Sequence, residues 1–447
     1  MRPTVRLPVV SALTALLLLA SACSDDHSTA PTSSTDPSVT STTVSDTSTD
    51  AATADDAGGG PGAMDEMVDD AVASAAEGYE RTIGAWTGFD PREHPTVVSL
   101  RADGDVSQAL AINHPNAGGL GTAVALDTNG TPFDSLHLIT DLDEATKSRL
   151  QSIENFDFTA TLGEVDAFVM VADRGDAFLD PASNDWPQTL IHEMFHRYQF
   201  EAFADDSAGQ DIDGYAYTQE NLELAALEER ALRAAVLAGS DSDRETAARH
   251  LAGLRLARLA ADHRVELDLS QERYEGTARY LEHVLGGDDE RFGYRLDNFA
   301  GDLLDGFTMG HVKDDYGFGR FYASGAAIMR VLDQLDVADV IARVEAGESP
   351  IMVLADHLGV GADDAAALVD EARDTYGDAA LEMAAAEAET SAAGEPSFWG
   401  DETAEADGAD GGEAVELTDE QIECLDAAEI PADGVVPDEV WEACVGA

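Results

Sequence analysis

The sequence predicts an α+β chain, in which a small N-terminal mixed β-sheet is followed by a mostly helical part. Three observations carry that reading. Between Thr96 and Ala172, short apolar and β-branched runs (TVVSL, QALAI, GTAVAL, SLHLI, DAFVMVA) are separated by Gly, Asn, Asp and Pro, the pattern of strands and turns. After Trp186 the apolar residues recur at spacings of three and four, the period of an amphipathic helix. From Ser24 to Gly62 there is almost no large apolar residue. A sheet followed by helices in chain order is the α+β arrangement.

At the N-terminus, residues 1–22 place Arg2 and Arg6 before an apolar run from Leu7 to Ala20, then Ser21 and Ala22, directly ahead of Cys23. This run is too short and wrongly flanked for a membrane span and reads as a secretory signal. A cysteine immediately after the small residues resembles the bacterial lipoprotein box. That resemblance implies an exported, cell-surface protein anchored by a lipid on Cys23. The alternative is ordinary cleavage after Ala22. Residues 23–63 are rich in Ser, Thr, Asp, Pro and Gly. They cannot offset the entropy of ordering and are expected to form a disordered tether.

The strand runs assign residues 64–184 to the sheet-bearing part of the core and residues 185–392 to the helical part. Within the latter, NLELAALEERALRAAVLA and ETAARHLAGLRLARLAADHRVELDL form an expected antiparallel hairpin around GSDSD, with Ser242 and Glu245 as a capping box. A further helix is expected from near Ser270 to Gly286, and another from Gly319 to Leu335. Residues 393–416 are acidic and Gly-rich and read as a linker. The last piece, 417–447, is expected to form a small helical element and holds Cys424 and Cys444. In an exported chain these are expected to pair, closing a loop worth on the order of 3 kcal/mol.

The chain of 447 residues carries 89 Asp plus Glu against 25 Lys plus Arg, for a formal charge of −64. That balance excludes nucleic acid as a partner, because phosphate binding needs a basic face. Hydrophobic residues at 44% exclude a wholly disordered chain.

The chemistry is concentrated at the junction of the two parts. His192-Glu193-Met194-Phe195-His196 has the spacing H-E-x-x-H. On a helix, residues four apart share a face, so both imidazoles reach one zinc ion, and the intervening Glu lies within reach of a water on that ion. Pro187 suits the first helical turn and an expected strand, Ala167 to Ala172, precedes it.

An H-E-x-x-H helix after a strand, with the later Tyr274-Glu275-Gly276-Thr277-Ala278, resembles the gluzincin branch of zinc metallopeptidases, the group of thermolysin-like and aminopeptidase-N-like enzymes. The resemblance implies a zincin-like fold, Zn2+ as cofactor with His192, His196 and Glu275 as ligands, Glu193 as general base, and a peptide or protein substrate. It covers two short motifs within residues 185–285. The gap between His196 and Glu275 is longer than in thermolysin-like enzymes, and the helical hairpin is a natural insertion to fill it. Gly276 is expected to let its helix approach the H-E-x-x-H helix closely.

Glu220 and Glu223 are rival third ligands, although acidic residues at a helix start also favour the dipole without a metal. Glu-Gly in mid-helix, where Gly costs about 1 kcal/mol, favours Glu275. Glu272, one turn earlier, is a candidate to steady the ligands from behind. Tyr316, Arg320, Tyr322 and His311 are candidates to donate to the oxyanion of an attacked carbonyl, with Tyr322 preferred. Two function classes follow: a zinc-dependent peptidase at the cell surface, or a non-catalytic acidic lipoprotein that uses the same fold for binding.

Overall fold

In the computed structural model the described residues are 61–102, 104–204, 211–286, 311–377 and 379–396. The chain divides into Met1–Phe398 and Trp399–Ala447. Cys23, the tether up to residue 60, Cys424 and Cys444 lie outside the described residues, while residues 61–63, expected in the tether, belong to the first helix.

The sheet is built where the apolar runs fall. Strand β1 (Thr96–Ala102) and β2 (Asp105–Ile112) pair antiparallel, Thr96 opposite Ile112. Next come β3 (Thr122–Ala125) and β4 (Leu136–Thr140), which pair antiparallel with each other, and β4 also pairs with β2. Helix α2 (Glu144–Gln151) intervenes, capped by Asp143, whose side chain accepts from Ala145 N and Thr146 N. Strands β5 (Phe156–Leu162) and β6 (Val165–Asp173) pair antiparallel, and β6 runs parallel to β1. The order is β3-β4-β2-β1-β6-β5, a six-stranded mixed sheet as expected. The first five residues of β1, and six consecutive residues of β6, are buried. A strand covered on both faces reads as a continuous apolar run, not as an alternation.

Three elements went unanticipated, the short helix α2 among them. Strand β5 alternates instead, with Phe156, Phe158, Ala160 and Leu162 buried, as suits an edge strand packed on one face. Helix α1 (Pro61–Thr82) precedes the sheet and buries Met67, Val68, Ala71, Ala75 and Tyr79 at spacings of one, three and four.

Helix α3 (Trp186–Ala202) follows β6, with Pro187 in its first turn. It lies against α1, β5, β6 and the later helix α6 (Glu266–Gly286). The hairpin is present as α4 (Gln219–Val236) and α5 (Asp241–Ala261). Its cap differs from the expected one. Ser240 accepts from Asp243 N, two residues before the Ser242 of the expected box, because the chain turns back immediately after α4. Then α7 (Arg320–Gln334) follows a π-helical turn at Asp315–Gly319, and α8 (Val340–Glu345), α9 (Pro350–Leu358), α10 (Ala362–Tyr376) and α11 (Ala379–Ala392) complete the described chain. No helix among the described residues is long and apolar enough to cross a membrane.

Gly276 does permit a close helix crossing, but its partner is α7. A Cβ on Gly276 would stand 2.4 Å from Gly325 Cα, and a Cβ on Gly325 would stand 2.6 Å from both Glu272 O and Gly276 Cα. The obstructing atoms are backbone, so no rotamer relieves the clash. Gly325→Ala is therefore expected to destabilise the protein by about 1–3 kcal/mol, read as a lower denaturant midpoint at constant m. In an uncrowded helix the same change would stabilise by about 1 kcal/mol, and that sign would refute the crossing.

Candidate metal centre

Helix α3 and helix α6 each contribute one side of a buried cluster. His192 and His196 sit on successive turns of α3, and Glu275 faces them from α6. His192 Nε2 is 3.0 Å from His196 Nε2, and Glu275 Oε2 is 3.4 and 3.2 Å from the two nitrogens. All three residues are buried. The group can hold a metal ion.

The donor set fits one. Glu275 Oε2 makes no hydrogen bond although it is buried between two ring nitrogens. Three lone-pair atoms converge on one point, which costs free energy unless a cation or a proton lies between them. Ligand bonds of about 2.0–2.1 Å in a regular tetrahedron give ligand–ligand edges of about 3.3–3.4 Å. The observed edges of 3.0, 3.2 and 3.4 Å are close to that figure.

The distal ring nitrogens are fixed from outside. His192 Nδ1 donates to Glu282 Oε1 at 2.5 Å, and Glu282 Oε2 accepts from Arg279 at 2.5 Å. His196 Nδ1 donates to Gln199 Oε1 at 2.6 Å, while Gln199 Nε2 donates to Tyr274 O and Thr277 Oγ1, both at 2.9 Å. Each bond keeps a proton on Nδ1 and turns Nε2 toward the cluster. Gln199 thereby ties α3 to α6 at the site. Neither Gln199 nor Glu282 was anticipated. The signal was available in the helical period: Gln199 is three residues past His196, and Glu282 is seven past Glu275, two turns along the same face.

Burial works against a charge on His192, but Glu282 and Glu275 outweigh it and raise the imidazole to about 10. Burial likewise opposes the Glu275 carboxylate, and the charges of His196 and His192 overcome it, holding the carboxyl well below its usual range. Glu193, next to His192 on α3, is pushed up to about 7 by burial, and its Oε2 has no hydrogen-bond partner. A carboxyl of that kind is poised to exchange a proton near neutral pH.

Tyr322 lies beside the cluster, its ring stacked on His192 at 5.7 Å and 21°. The other oxyanion candidates lie elsewhere: Tyr316 is in the core, His311 is exposed, and Arg320 pairs with Asp268 at 2.5 Å. The rival ligands are also apart from the cluster. Glu220 is exposed and Glu223 accepts from Arg373 at 3.1 Å.

Glu272 faces away from the histidines. It accepts from Arg255 at 2.8 Å and from Ser324 at 2.7 Å, in a buried ion cluster behind α6. There Arg255 and Arg258 also bond Glu228 at 2.9 and 2.6 Å, and Arg258 reaches Asp268 at 2.8 Å. Spacing of three from Glu275 put Glu272 off the ligand face by a part of a turn, enough for a different neighbour.

Comparison with protein-family models, curated proteins and solved structures finds no match to this chain.

Proposed function

We propose that this chain is a zinc-dependent peptidase with a zincin-like, gluzincin-type site, exported and held at the cell surface by a lipid on Cys23. The observation that carries the reading is the convergence of His192 Nε2, His196 Nε2 and Glu275 Oε2 within 3.0–3.4 Å of one another, with an unpartnered carboxylate oxygen on the adjacent Glu193. Zinc, when bound by three protein ligands, supplies Lewis acidity and lowers the pKa of water. Glu193 would take at Oε2 a proton from the water that attacks the peptide carbonyl carbon, and would return it to the amine as the C–N bond breaks. Glu282 and Gln199 hold the two imidazoles in the tautomer that leaves Nε2 free to ligate. Tyr322 is assigned the hydrogen bond to the oxyanion. A non-catalytic binding protein has no use for a buried, proton-exchanging Glu193, so hydrolysis is the preferred reading.

Purified protein is expected to hold about one zinc per chain and to cleave members of a mixed peptide library, with activity lost on chelation and restored by zinc. His192→Ala, His196→Ala and Glu275→Ala should each lose the metal, and Glu223→Ala should keep it. Zinc retained by Glu275→Ala and lost by Glu223→Ala would move the third ligand to α4. If none of these changes alters metal content or cleavage, the binding-protein reading replaces the enzyme. For the anchor, Cys23→Ser should shift the protein from the membrane fraction to the soluble fraction, and an unchanged distribution and mass would reject the lipid.

A further inference from the structure

We infer that Arg279 is a positioning residue that joins the metal ligand His192 to the oxyanion donor Tyr322. The inference rests on the peptidase reading above and adds a residue to its site. Glu275, Arg279 and Glu282 are spaced four and three apart on α6, so they lie along one face of the helix. From that face Glu275 and Glu282 both reach His192. Arg279 is 7% exposed. A guanidinium taken that far out of water is costly unless a carboxylate meets it, and Glu282 does so at 2.5 Å.

Glu282 divides its two oxygens, Oε1 accepting from His192 Nδ1 and Oε2 from Arg279 Nη1. The last torsion of a Glu side chain is soft, so a carboxylate held at one oxygen can turn. Held at both, it keeps its plane, and Arg279 thereby fixes the group that orients His192. The same guanidinium carbon stands 5.9 Å from the centroid of the Tyr322 ring, within cation–π range. That ring is stacked on His192 at 5.7 Å and meets Phe318 edge-on at 5.4 Å, and Tyr322 is half-buried. His192, Glu282, Arg279 and Tyr322 thus form a closed circuit of contacts. Positive charge on the ring draws electron density from the phenol and makes its hydroxyl the better donor to an oxyanion. Arg suits both tasks, since its planar group can lie on a ring while an N–H donates to a carboxylate.

The test measures zinc affinity of the full chain by competition with a chelator, and kcat and KM on a cleaved peptide at saturating zinc. Arg279→Met should weaken zinc binding by about tenfold to a hundredfold and lower kcat about tenfold with KM near that of the parent. Arg279→Lys restores the charge beside Glu282 but not the flat face, so it should regain most of the zinc affinity and only part of kcat. In a Tyr322→Phe background the kcat loss on replacing Arg279 should vanish while the zinc loss remains, and in Glu282→Gln the zinc loss should vanish. Losses that simply add in both backgrounds overturn the inference and leave the peptidase reading standing, as does an Arg279→Met variant equal to the parent in both quantities. If Arg279→Met does not fold, Arg279→Lys carries the test. Its kcat loss should vanish in Tyr322→Phe, and a loss that persists there overturns the inference. If no peptide is cleaved, the peptidase reading fails, and calorimetric affinity for acetohydroxamate replaces kcat in the same comparisons, with the same outcomes for and against.

Discussion

Glu193→Gln is expected to bind zinc as the parent does and to hydrolyse peptides about 10²–10⁴-fold more slowly, the usual worth of a positioned acid–base group. The change keeps the shape of the side chain and touches none of the three ligand atoms. It also has an effect on stability of opposite sign. Burial raises the Glu193 carboxyl to about 7, so the folded chain holds this proton more tightly than the unfolded chain does. Wherever the native state binds more protons, stability falls as pH rises. Ionised Glu193 is then a cost in the metal-free protein that grows from the ordinary carboxyl range up to about pH 7 and stays constant above it. Gln removes that cost. Metal-free Glu193→Gln should be more stable than metal-free parent above pH 7, by roughly 1–3 kcal/mol, and the gap should close toward pH 4. Urea titrations of the two proteins across that range check the sign. A variant that is inactive and also less stable at pH 8 would mean that Glu193 is a packing group and not a poised base.

The sequence made some of this architecture legible and hid the rest for physical reasons. β1, β6 and the second half of β2 were readable because a buried strand is a contiguous apolar run, and α4 and α5 because each has a wide apolar stripe. The two histidines could be paired from spacing alone, since one helix carries both. Glu275 lies on another helix, and its place beside them came from a resemblance, not from periodicity. The partner of Gly276 was misjudged, because a mid-helix glycine announces a close approach without naming the neighbour. The same applies to Arg255, Arg258 and Arg320. In an acidic chain their carboxylate neighbours are too numerous for sequence to single out Glu228, Asp268 and Glu272, which belong to α4 and α6.

That cluster carries the largest stability effect expected in the core. Asp268 is fully buried and bonds Arg258 at 2.8 Å and Arg320 at 2.5 Å. Asp268→Ala leaves two buried guanidinium groups short of a counter-charge, which costs about 3–5 kcal/mol, a large part of the 5–15 kcal/mol typical of a domain. The loss should depend on pH. Burial alone would raise the Asp268 carboxyl, but Arg258, Arg320 and Arg255 outweigh it and hold it far below the usual range. A depressed carboxyl contributes its stability above the unfolded-state value near 4 and loses it as pH falls toward the folded value. The parent should therefore weaken steadily as pH falls below about 5, while Asp268→Ala, already weakened at pH 7, should show a flatter acid limb. Because Asp268 and Glu272 stand on the same helix as Glu275, the variant should also bind zinc less tightly, with His192 and His196 unchanged. Replacing Arg255 and Glu272 together by apolar residues of similar volume removes one charge of each sign and leaves Arg258 and Arg320 balanced by Glu228 and Asp268, and it should cost much less than Asp268→Ala. Equal losses for the two would show that the cluster acts by filling space and not by balancing charge.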